Sequence, residues 1–271
     1  MLSVLKEFQE VVWDYHHDHG RSLPWREPDV DGNFDPYKIL VSEIMLQQTQ
    51  AVRVVPKYLA FIEKFPTMQA LADAPLAAVL SQWDGLGYNR RAKYLHQAAQ
   101  TLAIGSYPIA RWTVGELVGC KGVGPNTAAA VCVYAYNQPL VFVETNIRTV
   151  FIHHFFQDAD DVHDKVLLPL IEQALNREHA REWYWALMDY GVHLKATVGN
   201  ASRASKHYAK QSKFEGSKRQ VRGEVLRRLG RGGKSEEALA VLIPDDRLAG
   251  VLRDLLAEGL ISTDNGQLSL G

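Results

Sequence analysis

Apolar residues return every three or four positions through most of the first 190 residues. This period predicts helices over 2–15, 36–50, 52–65, 68–72, 74–83, 91–102, 113–120, 165–175 and 178–190. No strand-like alternation of comparable strength interrupts 36–136. Leu5, Phe8, Val12 and Tyr15 set the stripe of the first helix, which gives way to the polar run His16-His17-Asp18-His19-Gly20. Asp35 is a good N-cap and Pro36 suits the first helical position, so the second helix is expected from there to about Gln50. Beyond residue 205 the pattern changes. Three helices over 218–229, 235–242 and 246–259 precede a hairpin over 260–270 that turns at Asn265-Gly266, the arrangement of a small winged-helix-like module.

A chain of 271 residues can bury one large core or two smaller ones, and the compositional break near residue 200 favours an added domain. No apolar run approaches the roughly 20 residues needed to span a bilayer, and the N-terminus lacks a signal-peptide pattern. The expectation is a cytoplasmic, monomeric protein without a membrane partner. Two cysteines, Cys120 and Cys132, are too few for a disulfide framework and cannot by themselves ligate a four-thiolate metal centre. His16, His17 and His19 could bind a metal, but their spacing beside a glycine fits a solvated helix end better. The net charge of -1 excludes a uniformly basic surface. Yet Arg203, Lys206, Lys210, Lys213, Lys218, Arg219, Arg222, Arg227, Arg228, Arg231 and Lys234 face only Glu215 and Glu224 in their interval. Such a stretch is either a solvated linker or a phosphate-neutralising segment.

The chemistry is concentrated in Ser42-Glu43-Ile44-Met45-Leu46-Gln47-Gln48-Thr49-Gln50. On a continuous helix Glu43, Gln47 and Gln50 share one face, while Leu40, Val41, Ile44 and Met45 point toward packing partners. The plain reading of a polar stripe is a solvated face. A carboxyl among amides can also handle a proton and a nucleobase edge. Leu23-Pro24-Trp25-Arg26 lies upstream, and Gly85-Leu86-Gly87-Tyr88, Gly122-Val123-Gly124 and Glu144-Thr145-Asn146 follow downstream. In that order these segments resemble the helix-hairpin-helix DNA glycosylases, and within them the MutY-type adenine glycosylases, over roughly residues 20 to 190.

The resemblance implies an all-α, two-lobed helix-hairpin-helix glycosylase fold with the winged-helix-like domain appended. Residues 1–30 and 137–205 would form the lobe that normally carries an iron–sulfur cluster, 31–136 a six-helix barrel lobe with the hairpin, and 206–271 a basic linker and the terminal domain. It also implies double-stranded DNA with a mispaired or damaged base as partner. Glu43 would protonate the leaving base, and Glu144, with Asn146, would stabilise the cationic sugar or attack it, the division of labour of glycoside hydrolysis. Desolvation would keep Glu43 protonated, and a polar setting would keep Glu144 ionised. Gln48 and Tyr88 match positions that contact an opened duplex, although a lone Tyr is more often a core aromatic. Arg26, Gln47, Asn126 and Thr127 are further candidates for base or DNA contacts. The hairpin of Lys121, Gly122, Val123 and Gly124, leading into a helix whose free N–H groups can face phosphate, would anchor the backbone, unless it is a plain turn between packed helices.

Departures from the family are informative. Asn126 stands where bifunctional relatives carry a Schiff-base lysine, which predicts a monofunctional enzyme without lyase activity. Glu144 replaces the family aspartate and adds a methylene, and its place also suits a helix cap. No cysteine follows Cys132, so no iron–sulfur cluster is expected. The residues after about 215 are too few and too helical for the Nudix-like domain of MutY-type enzymes. Adenine is the expected base, with hypoxanthine, uracil, mismatched thymine or a non-catalytic DNA-structure-binding protein as alternatives.

Overall fold

The computed structural model describes residues 2–103 and 111–271. The helices are α1 (Leu2–His19), α2 (Pro36–Leu46), α3 (Ala51–Lys64), α4 (Met68–Ala72), α5 (Leu76–Gln82), α6 (Arg90–Leu102) and α7 (Val114–Gly119). There follow α8 (Pro125–Tyr136), α9 (Thr145–Phe155), α10 (Asp164–Ala174) and α11 (Ala180–Thr197), with a 3-10 turn at Ala201–Ala204. The tail holds α12 (Lys218–Leu229), α13 (Glu236–Leu242) and α14 (Leu248–Ala257), then strands β1 (Ile261–Asp264) and β2 (Gln267–Leu270). The strands pair antiparallel across Asn265 and Gly266, both at positive φ as a two-residue hairpin requires. Among the described residues the architecture is all-α with that one hairpin. Among the described residues no helix is long and apolar enough to cross a membrane.

The chain forms two compact units. The first takes the described residues of Met1–Leu40, Arg111–Val118 and Gly124–Lys210; the second takes those of Val41–Ala110, Gly119–Val123 and Gln211–Gly271. This partition differs from the expected one, which puts 31–40, 111–118 and 124–136 in the barrel lobe and sets the tail apart. Helix α8 groups with α9 to α11, because Ala128 to Ala135 are buried without interruption and α8 packs against α11. The tail is part of the second unit rather than a separate domain. Lys93 of α6 donates to the carbonyl oxygens of Glu258 (2.6 Å) and Gly259 (3.2 Å) just past α14, satisfying acceptors that a helix end leaves unpaired. β2 also lies against α5.

The first unit is built around aromatic side chains. Phe8 of α1 meets Phe151 of α9 at 5.1 Å and Trp183 of α11 at 6.0 Å between ring centroids. Its polar centre is Asp189 on α11, whose side chain is 1% exposed. Arg26 forks onto both carboxylate oxygens (2.8 and 2.9 Å), and Arg21 donates to Oδ1 from Nε (2.6 Å) and to Oδ2 from its backbone (3.0 Å). His16 Nδ1 lies 3.4 Å from Oδ2. Helix α1 therefore continues through the histidine run to His19, with His16 turned toward Asp189.

Burial alone would push the Asp189 carboxyl up, but His16, Arg26 and Arg21 together hold it well below the usual carboxylate range. A depressed carboxyl contributes stability that is fully present above its unfolded pKa, about 4, and is lost as pH falls toward the folded value. Asp189→Asn would leave two guanidinium groups without their counter-charge, and urea unfolding at pH 7 should show a loss of about 3–5 kcal/mol. That deficit should shrink as the pH is lowered below about 4.

Candidate active site

Helix α2 ends earlier than its sequence suggests. Gln47 and Gln48 form a turn, Gln48 sits at φ 56°, and Gln50 caps α3 by accepting from the N–H groups of Arg53 and Val54. Glu43, Gln47 and Gln50 therefore do not form one continuous helical face. The cause is Arg91, a buried guanidinium at the start of α6. Its Nη1 donates to the carbonyl oxygens of Ile44 (2.9 Å), Met45 (2.8 Å) and Gln47 (2.6 Å). Its Nη2 donates to Thr49 Oγ1 and to the carbonyl oxygens of Leu86 and Gly87, each at 3.1 Å. A cation taking the last carbonyls of a helix suits the negative end of its dipole, and it stops the helix there. Burial pushes the Arg91 pKa down to about 10, with Tyr88 opposing, which leaves the group charged at neutral pH.

Glu43 is thereby fixed in the last turn of α2, half-buried between the fully buried Ser42 and Ile44, with the Gln47-Gln48 turn directly after it. Gln47 is half-buried and Gln48 exposed. Tyr88, at φ 46°, lies between two guanidinium groups, 5.6 Å from Arg91 and 5.4 Å from Arg219. Arg219 Nη1 donates to its hydroxyl at 2.6 Å, and Gln211 bonds the same oxygen and approaches Gln48 Oε1 at 3.5 Å. Two predicted duplex-facing residues are thus in contact with the tail, a link that the sequence did not show.

Part of the basic stretch is paired with carboxylates. Lys218 meets Asp254 at 2.5 Å, Arg222 meets Glu258 at 2.5 Å, and Arg227 and Arg228 both meet Glu224 at 2.6 Å. This fits neither a solvated linker nor an open phosphate track over its whole length.

In the hairpin, Gly122 is at φ 87°, and a Cβ there would sit 2.6 Å from the Tyr94 ring, so glycine is required on two counts. Val123 is buried and its N–H closes the turn on the Cys120 carbonyl at 3.1 Å. Lys121 is exposed with its ammonium 5.2 Å from the Tyr94 ring centre. Gly124 is the N-cap of α8, Pro125 and exposed Asn126 open the helix, and half-buried Thr127 follows.

Asn126 Oδ1 accepts from the Val143 N–H at 3.4 Å, which ties the α8 start to the residue before Glu144. Glu144 caps α9: its Oε1 accepts from the N–H groups of Asn146 (2.6 Å) and Ile147 (3.0 Å). Its Oε2 faces Asn146 Nδ2 at 3.4 Å, and Asn146 Oδ1 accepts from Lys195 Nζ at 2.6 Å. The close approach depends on Gly191, where a Cβ would lie 2.6 Å from the Asn146 carbonyl oxygen. The setting differs from the polar one expected. Burial pushes the Glu144 pKa up, and Lys195, the two N–H groups and Arg148 oppose that without reversing it.

A sequence model of the HhH-GPD superfamily, base excision DNA repair proteins, matches residues 41–172. An adenine DNA glycosylase of Mycobacterium tuberculosis is 35% identical over 96% of this chain and 91% of its own length. The chain belongs to the HhH-GPD superfamily. An adenine DNA glycosylase of Buchnera aphidicola is 32% identical over 70% of the chain, an alignment that spans 53% of that relative. Among solved structures, a thermostable thymine-DNA glycosylase superposes with a TM-score of 0.61 at 22% identity, covering 76% of this chain and 97% of that one. Endonuclease III trapped in a covalent complex with DNA gives 0.58 at 17% identity over 71% and 87%. These two likenesses show the HhH-GPD fold.

The four-thiolate cluster implied by the resemblance does not fit this chain, whose two cysteines are both buried, and among the described residues no group of His, Cys, Asp and Glu could hold a metal. The corresponding stretch is held otherwise. Asn200 Oδ1 accepts from Ser202 N–H and Oγ, and Val162 and Ser205 form a parallel bridge.

Arg26, expected at DNA, has a side chain 8% exposed, engaged by Asp189 and 5.3 Å from the Trp185 ring. It holds the first unit together. Arg91 and Lys195 escaped the sequence reading. The available signals were a cation on the α6 apolar stripe with Leu95, Ala98 and Leu102, and Lys195 one turn after a mid-helix glycine. Arg91→Met would leave the buried carbonyls of Ile44 and Met45 without this donor, with Gln47, Leu86 and Gly87 keeping only Thr49 Oγ1 or Trp83 Nε1, and urea unfolding should show a loss of at least about 3 kcal/mol.

Proposed function

We propose that this HhH-GPD protein is a monofunctional DNA glycosylase that releases adenine from a mispaired or damaged site in duplex DNA, acting as a cytoplasmic monomer without an iron–sulfur cluster. The observation that carries the reading is Glu43, fixed half-buried in the last turn of α2 directly ahead of the Gln47-Gln48 turn that Arg91 locks. A carboxyl there can donate a proton to the leaving base while the neighbouring amides read its edge. Glu144 is the carboxylate assigned to the developing oxocarbenium ion. The relatives named adenine DNA glycosylase support adenine as the base. Asn126 supports hydrolysis without a Schiff base, since an amide is not an amine nucleophile.

Extrusion of the target base costs a few kcal/mol, and inserted side chains can fill the gap. Gln48 and Tyr88 are the candidates for that role. The hairpin of Lys121 to Gly124 and the start of α8 offer backbone N–H groups to a phosphate.

Labelled duplexes carrying adenine opposite 8-oxoguanine, adenine opposite guanine, hypoxanthine, uracil, and thymine opposite guanine should be incubated with the protein and then treated with alkali. Breaks are expected at adenine, with no adduct trapped by borohydride. Glu43→Gln should slow release by about 100-fold to 10,000-fold while duplex affinity stays within a few fold. Breaks confined to another base would replace adenine, binding without any break would favour a non-catalytic binder, and full turnover in Glu43→Gln would remove Glu43 from the chemistry.

A further inference from the structure

Glu144 lies in a network that ends in a buried lysine outside every motif of the sequence. Helix α11 passes the start of α9 so closely that Gly191 has no room for a side chain, and one turn later it presents Lys195. The ammonium donates to Asn146 Oδ1 at 2.6 Å, and the amide of the same residue faces Glu144 Oε2 at 3.4 Å. Met188 Sδ, 3.8 Å from Asn146 Nδ2, borders the amide on the other side. An amide that accepts from a cation at its oxygen is polarised to donate more strongly from its nitrogen. We infer that Lys195 is a positioning residue for the sugar-facing carboxylate, acting through Asn146 to keep Glu144 charged and its Oε2 oriented. The inference rests on the assignment of Glu144 above.

The groups around Glu144 single out this lysine. From its own helix comes Arg148, whose guanidinium is forked onto Asp164 of α10 at 2.7 Å twice and so is largely neutralised. From α8 comes Asn126, uncharged, through the Val143 N–H. The segment before the 3-10 turn brings the Asn200 amide, which faces Thr149 at 3.5 Å. His193 of α11 stacks on Tyr190 and packs against Tyr15, on the α1 side. Lys195 alone among these groups is a cation without a carboxylate hydrogen bond of its own in the network described. Burial lowers its pKa and Glu144 raises it, the reciprocal of the effect of Lys195 on Glu144. Such a counter-charge favours the ionised form of a carboxyl whose pKa burial raises.

The test compares Lys195→Met, Lys195→Gln and Lys195→Arg with the unsubstituted chain. Glutamine keeps a donor for Asn146 and removes the charge. The Glu144 carboxyl is titrated by NMR on glutamate-labelled protein, its signal identified by its absence in Glu144→Gln. Single-turnover adenine release from a duplex with adenine opposite 8-oxoguanine is followed against pH. Met and Gln should raise the Glu144 pKa by about one unit or more and move the acidic limb of the rate profile up by the same amount, with Arg restoring both. An unchanged titration and limb in Met or Gln, whatever the melting temperature does, would overturn the inference. If the unsubstituted protein releases no base from any duplex, the glycosylase reading fails, while the titration still decides the role of Lys195.

Discussion

The Arg91 guanidinium is the interaction on which the Glu43 segment of the second unit depends. Removing a charged side chain from water costs several kcal/mol, and here that cost is offset by hydrogen bonds to six oxygens and by contact with the Trp83 and Tyr88 rings. Those oxygens belong to two short segments, the end of α2 with the turn after it and the loop of Leu86 and Gly87. One planar cation therefore sets where the Glu43 helix stops, which way Gln47 and Gln48 turn, and how Tyr88 is presented. Lysine, with three donors on a flexible stem, cannot satisfy the same set.

The first unit supports its own carboxylate in a different way. Glu144 is pinned by capping α9, so the residue that departs from the family pattern also has a structural reason to stay in place. The longer side chain reaches the N–H groups of Asn146 and Ile147 with one oxygen and turns the other toward the Asn146 amide. Gly191 allows the approach of α11. Asp189, two residues earlier on the same helix, ties α11 to His16 of α1 and to the Pro24–Arg26 turn. Asn200, Ser202 and the bridge between Val162 and Ser205 organise the chain after α11.

Local rules were enough for much of this. The Asn265-Gly266 hairpin, the three tail helices and the proline start of α2 follow from turn chemistry, period and capping, all of which act within a few residues. The order of the glycosylase motifs carried the family. What escaped was set by partners far along the chain. The end of α2 is decided by Arg91, the inward turn of Arg26 by Asp189, and the packing of α8 by α11, none of which a local window contains. The compositional break near residue 200 and the helix-and-hairpin pattern suggest a separate tail domain, because ion pairs between distant elements do not show in sequence. The tail's acidic partners, Asp254, Glu258 and Asp84, lie in other elements.

The geometry of Glu43 is held from Arg91 rather than by α2 itself, and Arg91→Lys tests this most directly. With circular dichroism confirming a folded protein, single-turnover adenine release from a duplex that the unsubstituted chain processes should fall at least about 100-fold, because a misplacement of about 1 Å is enough for such a loss. Duplex affinity should stay within a few fold. A folded Arg91→Lys protein that releases adenine at the original rate would contradict the account.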